Sequence, residues 1–139
     1  MRCVLDTCVV SETVRARPDE RVLAWLGAQR EGDLHLSVLT IGELAKGIAR
    51  LGESRRRAEL AAWLAEDLGP RFGARLLPVC AEVAARWGEL QARAELAGRK
   101  MPVVDGLIAA TALHHGLAVA TRNGTDMAAS GVTVVDPWR

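Results

Sequence analysis

Five short runs of β-type residues, CVL (3–5), LHLSV (34–38), LLPV (76–79), LAVA (117–120) and VTVV (132–135), alternate with stretches of helical periodicity. That alternation leaves few architectures open. Strands joined through helices pair in parallel, and the crossover helices must cover both faces of the sheet they connect. The expected fold is therefore α/β, a three-layer α/β/α sandwich around a mostly parallel central sheet. The intervening stretches support this. ERVLAWLGAQR carries Val22, Leu23 and Leu26; TIGELAKGIARL carries Ile41, Leu44, Ala45 and Ile48; AEVAARWGELQARAEL carries Val83, Trp87, Leu90 and Ala94. Each set falls at the i, i+3, i+4, i+7 spacing of an amphipathic helix. The stretch after Asp105 is apolar almost all round, which predicts the most buried helix of the chain.

The 139 residues match one domain, 1–139, of ordinary globular composition, without repeats or low-complexity linkers. The longest clearly apolar stretch, Leu107 to Leu113, is far short of the roughly 20 residues a membrane span requires, and no signal-peptide core follows the N-terminus. A cytoplasmic protein with no membrane association is expected. Cys3, Cys8 and Cys80 form no CxxC pair, so reduced thiols are expected rather than a disulfide framework or a zinc site. A net charge of +1 makes no case for nucleic acid, but sixteen of the eighteen basic residues are Arg, whose planar fork suits phosphate wherever several gather.

Four carboxylates lie beside these β runs: Asp6 in VLDTC, Glu43 in TIGEL, Asp105 in PVVDGL and Asp126 in TRNGTDM. In an open parallel sheet ligands collect beyond the carboxyl ends of the strands. Four acids brought together there repel one another, and a divalent cation relieves the repulsion while equipping the site for phosphate-ester chemistry. Each acid has a structural alternative. Asp6 can cap the next helix. Glu43 lies three residues after Thr40 in a T-x-x-E capping-box pattern, and with Lys46 and Arg50 it forms a polar ridge opposite Ile41, Leu44 and Ile48. The ridge suits a phosphate backbone, or equally a weak surface ion pair. Asp105 can cap a helix starting at Gly106, although a carboxylate entering so apolar a helix demands strong compensation. Asp126 occupies a polar turn between two strands, alongside the turn formers Asn123 and Gly124.

Other acid-based chemistries fail on required atoms. A haloacid-dehalogenase-type phosphatase needs D-x-D, and Cys8 takes the second position. A tyrosine-phosphatase loop needs C-x5-R, whereas six residues separate Cys8 from Arg15. No Lys follows Lys100 to serve a receiver domain, and the dinucleotide glycine fingerprint is absent.

Taken in order, LDTCVVSE, SVLTIGELAKGIARL, RWGELQARAELAGRKMPVVDGLIAATAL and ATRNGTDMAASGVTVVDPW resemble the PIN-domain ribonucleases, specifically the VapC and FitB-like toxins of bacterial toxin–antitoxin pairs. The resemblance spans essentially the whole chain. It implies an acidic pocket of Asp6, Glu43, Asp105 and Asp126 that binds Mg2+ or Mn2+ and hydrolyses RNA phosphodiesters, with Thr121 and Asn123 as supporting polar residues. Lys46, Arg50 and Arg122 are the expected RNA-phosphate contacts. It also implies a homodimer and a cognate antitoxin lying over helices near the N-terminus. Trp25 and Leu26, with Trp63 and Leu64, are candidate anchors for such a groove, although they equally serve to finish the core. Two positions depart from the pattern. Cys8 stands where Asn is usual, replacing an amide by a weak donor that is also a poor magnesium ligand, and Met127 replaces an aromatic. Cys8 keeps open an alternative reading, a catalytically weak or inactive PIN-like binding or regulatory module.

Overall fold

The computed structural model describes all 139 residues. Strands β1 (Cys3–Leu5), β2 (Leu34–Ser37), β3 (Leu76–Leu77), β4 (Ala118–Ala120) and β5 (Val134–Val135) form one sheet in the order β3-β2-β1-β4-β5, and all four pairings are parallel. Alternation along each strand divides the core. Cys3, Leu5, Leu34 and Leu36 face one cluster, together with residues of α1 (Thr7–Glu12), α2 (Glu20–Ala28) and α3 (Val38–Ala49). Val4, Leu77 and Val119 face the other, with Ile108, Ala109 and Ala112 of α7 (Val103–His115) and Met127 of α8 (Gly124–Ala128). A third cluster seats α6 (Ala81–Leu96) on α7. The expected three-layer arrangement is present. As its apolar composition predicts, α7 buries a continuous run from Ile108 to Ala112.

Several boundaries differ from the sequence reading for local reasons. Val38 opens α3 rather than ending β2, because the Ser37 hydroxyl accepts the Leu39 N–H and caps the helix there. The runs at 76–79 and 132–135 contribute only two paired residues each, as both are edge strands. Leu23, placed on the buried stripe by periodicity, is exposed, and Val22 alone of that helix is fully buried. The arginine-rich segment after α3 becomes α4 (Arg55–Ala62), a wide π-type turn (Trp63–Leu68) and α5 (Gly69–Phe72), which close the first cluster with Leu68 and Phe72.

Candidate active site

β1 leads on to β2 at one flank and pairs with β4 at the other, so the strand order reverses between β1 and β4. Asp6 begins at that point, its backbone N–H donating to Ala120 O at 2.9 Å. The side chain is 4% exposed, and every close partner is a donor. Thr7 N–H reaches Oδ1 at 2.8 Å, Thr121 Oγ1–H reaches Oδ2 at 2.7 Å, and the Cys8 thiol lies 3.8 Å from Oδ2. The capping role weighed for Asp6 is therefore real, and it holds the carboxylate at the strand end rather than excluding it from a site. Thr121 is fully buried, and it accepts the Asn123 N–H at 3.0 Å while donating to Asp6. Hydrogen-bond polarity thus runs from Asn123 through Thr121 into Asp6. Asn123 serves through its backbone, since its side chain makes no capping bond to α8.

Glu43 does not form the expected capping box. Ser37, three residues before Thr40, caps α3, so Thr40 and Glu43 lie inside the helix. Glu43 Oε1 instead accepts a 2.5 Å hydrogen bond from Thr7 Oγ1, which also stands 3.1 Å from the buried Thr40 Oγ1. A hydroxyl has one proton to give, and the length matches a charge-assisted O–H···O⁻ bond, so Thr7 donates to the carboxylate. Thr7 was missed by the sequence reading; its only signal was a hydroxyl beside Asp6.

Asp105 is not a helix cap either. Helix α7 starts at Val103, with Pro102 before it and no side-chain cap, which puts Asp105 in the first turn, half-buried. Burial, then the charges of Asp6, Glu43 and Asp126 in that order, push its carboxyl up to about 6. All four predicted acids therefore share one electrostatic neighbourhood. Asp126 lies in the first turn of α8, exposed, rather than in the open turn expected between strands. The other three acids act on Asp105 by charge, but no three acid, His or Cys side chains close into a ligating cluster.

Glu43, Lys46 and Arg50 line one groove of about 550 Å³ with Thr7 and Val104, so the predicted ridge exists and runs directly off the site. No ion pair consumes Lys46 or Arg50. Arg122, the third expected phosphate contact, stacks its exposed guanidinium 4.0 Å from the Trp138 ring and 3.7 Å from Glu12. Glu12 itself escaped the sequence reading. It is buried at the end of α1, where the Asp19 N–H at 2.9 Å and Arg15 at 3.2 Å hold its carboxyl below the usual range. Its signal was an acid three residues after Val9 on the inward face.

Cys8 also belongs to this neighbourhood. Burial raises its thiol, offset partly by the Arg122 backbone N–H, and its contacts to Asp6 and Thr121 are both 3.8 Å. Trp25, Leu26, Trp63 and Leu64 pack against the first core cluster while staying half-buried. This packing is what finishing the core requires of them. Leu26 and Trp63 also line a groove of about 370 Å³ whose rim carries Arg71 and Arg75 paired with Glu31.

The PIN domain family model matches residues 3–129. The chain belongs to the PIN-domain family. It is 39% identical over 135 residues to toxin FitB of Neisseria gonorrhoeae, covering 97% of each chain. With VapC ribonuclease Y4jK of Sinorhizobium fredii it shares 38% identity over 135 residues, 97% of this chain and 96% of the relative. The solved structure of FitAB bound to an IR36 DNA fragment superposes with a TM-score of 0.94 at 36% identity, covering 99% of this chain and 96% of that one. In this PIN domain, as on the bare geometry, the acids gather at the carboxyl edge of the sheet.

Proposed function

We propose that this PIN domain is the ribonuclease toxin of a bacterial toxin–antitoxin pair, acting in the cytoplasm as a divalent-metal-dependent endoribonuclease. One observation carries the reading: burial, and then the charges of Asp6, Glu43 and Asp126, drive the Asp105 carboxyl up to about 6, and no cationic side chain offsets them. An all-oxygen donor set with surplus negative charge fits a hard divalent cation, Mg2+ or Mn2+, with Asp6, Glu43, Asp105 and Asp126 as its holders. When bound, such a cation supplies an acidified water and neutralises charge on the phosphoryl oxygens.

The chain's own residues do the rest. Thr121 and Thr7 N–H fix both oxygens of Asp6, and Thr7 Oγ1 fixes Glu43, so two of the four carboxylates are oriented before any ligand arrives. Asp105 and Asp126 lack such partners and remain free to adjust. Lys46 and Arg50 extend from Glu43 along α3 and meet the phosphates next to the reacting one. Relatives named as a ribonuclease and as a toxin, both matched over nearly their whole length, support the activity.

The antitoxin partner docks in the groove of Leu26 and Trp63, with Trp25 and Leu64 packed against the same core cluster. An apolar floor inside a rim of ion pairs suits the apolar face of a helix. The active species is a homodimer, as the family resemblance implies. Helices long and apolar enough to cross a membrane are absent.

The decisive test is digestion of bacterial total RNA by antitoxin-free protein with Mg2+, with excess EDTA, and with Asp105→Asn in Mg2+. Discrete fragments only from wild type with metal establish the reading. Intact RNA from folded wild type in every lane favours the second reading, a PIN-like binding module, for which the weak 3.8 Å contacts of Cys8 to Asp6 and Thr121 are the motivating observation.

A further inference from the structure

Asp126 belongs to two neighbourhoods at once. On one side its charge acts on Asp105; on the other it walls a second cavity, of about 670 Å³, between the end of α6 and α8. Facing it across that cavity are Arg93, Arg99 and Lys100. All three are exposed, and none joins an ion pair, whereas Arg15, Arg21, Arg55, Arg71, Arg75, Arg122 and Arg139 each have a carboxylate partner.

Their gathering is built into the helix end. Gly98 takes φ +73°, its N–H donates to Glu95 O at 3.0 Å, and the Arg99 N–H donates to Ala94 O at 2.8 Å. That pair of bonds is a Schellman motif, which satisfies the last carbonyls of α6 and reverses the chain so that Arg99 and Lys100 return beside Arg93. A side chain at position 98 would be strained in this conformation. Thr125 and Ser130 contribute hydroxyls to the same cavity, and no aromatic side chain lines it.

The four acids therefore adjoin two basic grooves: Lys46 and Arg50 line one with Glu43, and Arg93, Arg99 and Lys100 line the other with Asp126. A polyanion crossing four carboxylates is held only if its flanking phosphates find cations. We propose that the α6 groove is a binding site for the sugar-phosphate backbone of the RNA strand, beyond the scissile phosphodiester on the Asp126 side. Arg93, Arg99 and Lys100 donate to its phosphate oxygens. This rests on the ribonuclease reading of the acids. With no aromatic face to stack a base, the groove grips the backbone, and its contribution is independent of sequence.

The test uses a fluorescent single-stranded RNA of twelve nucleotides and mixed sequence, with binding followed by anisotropy in Mg2+. Asp105→Asn serves as the background so that the probe stays intact. Adding Arg93→Gln, Arg99→Gln and Lys100→Gln is expected to weaken binding about tenfold or more and to lower the salt slope by about 2, at roughly 0.7 for each phosphate no longer neutralised. Removing the same charge from the opposite edge of the sheet, by Arg2→Gln, Arg30→Gln and Arg71→Gln, is expected to leave affinity within about twofold, because those residues precede β1, β2 and β3 and so lie at the strand ends away from the acids. Unchanged affinity and slope in the groove variant, or an equal loss in the opposite-edge variant, overturns the proposal. Cleavage of total RNA by wild type is scored separately. A wild type that cuts nothing sinks the nuclease reading, whereas a wild type that cuts while the groove variant binds normally sinks the groove alone.

Discussion

Glu12 and Asp105 are both withdrawn from solvent on helices that meet the sheet, and their surroundings treat them in opposite ways. Glu12 receives the Asp19 N–H, then Arg15 and Arg122, which together hold its carboxyl below the ordinary range. Asp105 receives no hydrogen bond, and burial, followed by the like charges of Asp6, Glu43 and Asp126, drives its carboxyl up to about 6. A carboxylate whose charge the protein neutralises serves the fold. One whose charge the protein leaves unmet is prepared for something from outside, and a perturbed group of this kind is how a site differs from a structural ion pair.

The largest effect expected from breaking this contrast is on activity. Asp105→Asn should reduce RNA cleavage by roughly 10²-fold or more, the scale seen when one charged or polar stabiliser of a phosphoryl or acyl transition state is removed. The same substitution should raise the melting temperature of metal-free protein by a few degrees, because it removes the repulsion, whereas Glu12→Ala should lower it. Calorimetry of both variants in EDTA checks the pair. Opposite signs are required, and a drop for Asp105→Asn would erase the distinction.

Gly106 offers a steric route to the same carboxylate. A Cβ there would stand 3.0 Å from Trp87 Cδ1 and Nε1, where α6 crosses α7 one residue beyond Asp105. Gly106→Ala should cost about 1–3 kcal/mol, the range for overpacking a filled interface, and should depress cleavage by shifting the start of α7. Denaturant titration and cleavage rates read the two effects. Full activity with lowered stability would show that Asp105 does not depend on this packing.

Thr7→Val tests the orientation of Glu43. Losing a donor to a charged group is expected to weaken the site by about 1.5–3 kcal/mol, seen as a higher Mg2+ requirement for cleavage. An unchanged metal titration would mean that Glu43 orients itself.

The pH dependence follows from sign. Because the folded-state carboxyl of Asp105 is raised, its contribution to stability is complete below the ordinary pKa of 3.8 and is lost as pH climbs through about 6. The advantage of Asp105→Asn over wild type in metal-free melting temperature should be near zero at the acid end, grow across that interval and shrink again in Mg2+. A difference independent of pH would place the repulsion elsewhere.

The smallest effect belongs to Cys8, whose thiol touches Asp6 and Thr121 only at 3.8 Å. Cys8→Asn should raise cleavage by a few-fold at most by supplying a proper amide donor. Equal rates for the two proteins would show that the thiol is neutral.

Residue pattern alone was sufficient for the layered parallel fold, because β runs separated by amphipathic stretches admit few other packings, and for bringing the four acids near one another, because Asp6 follows a strand, Asp105 and Asp126 fall in first turns of helices and Glu43 lies one turn into the helix after β2. It was also sufficient for the ridge of Glu43, Lys46 and Arg50, since a helix places residues three and four apart on one face. What it could not reveal was partnership across distance. Thr7 bonding to Glu43 joins residues 36 apart, and Thr121 bonding to Asp6 joins residues 115 apart. The T-x-x-E pattern misled for the same reason: Thr40 is drawn into the interior by Thr7, while Ser37 takes the cap. Nothing local to Arg122 or Glu12 announces their pairing, which forms where the C-terminal Trp138 folds back against the Arg122 guanidinium. Local sequence determines which way a side chain faces along its own element, but which charge is met and which is left unmet depends on side chains brought in from elsewhere in the chain. Only the tertiary structure decided that.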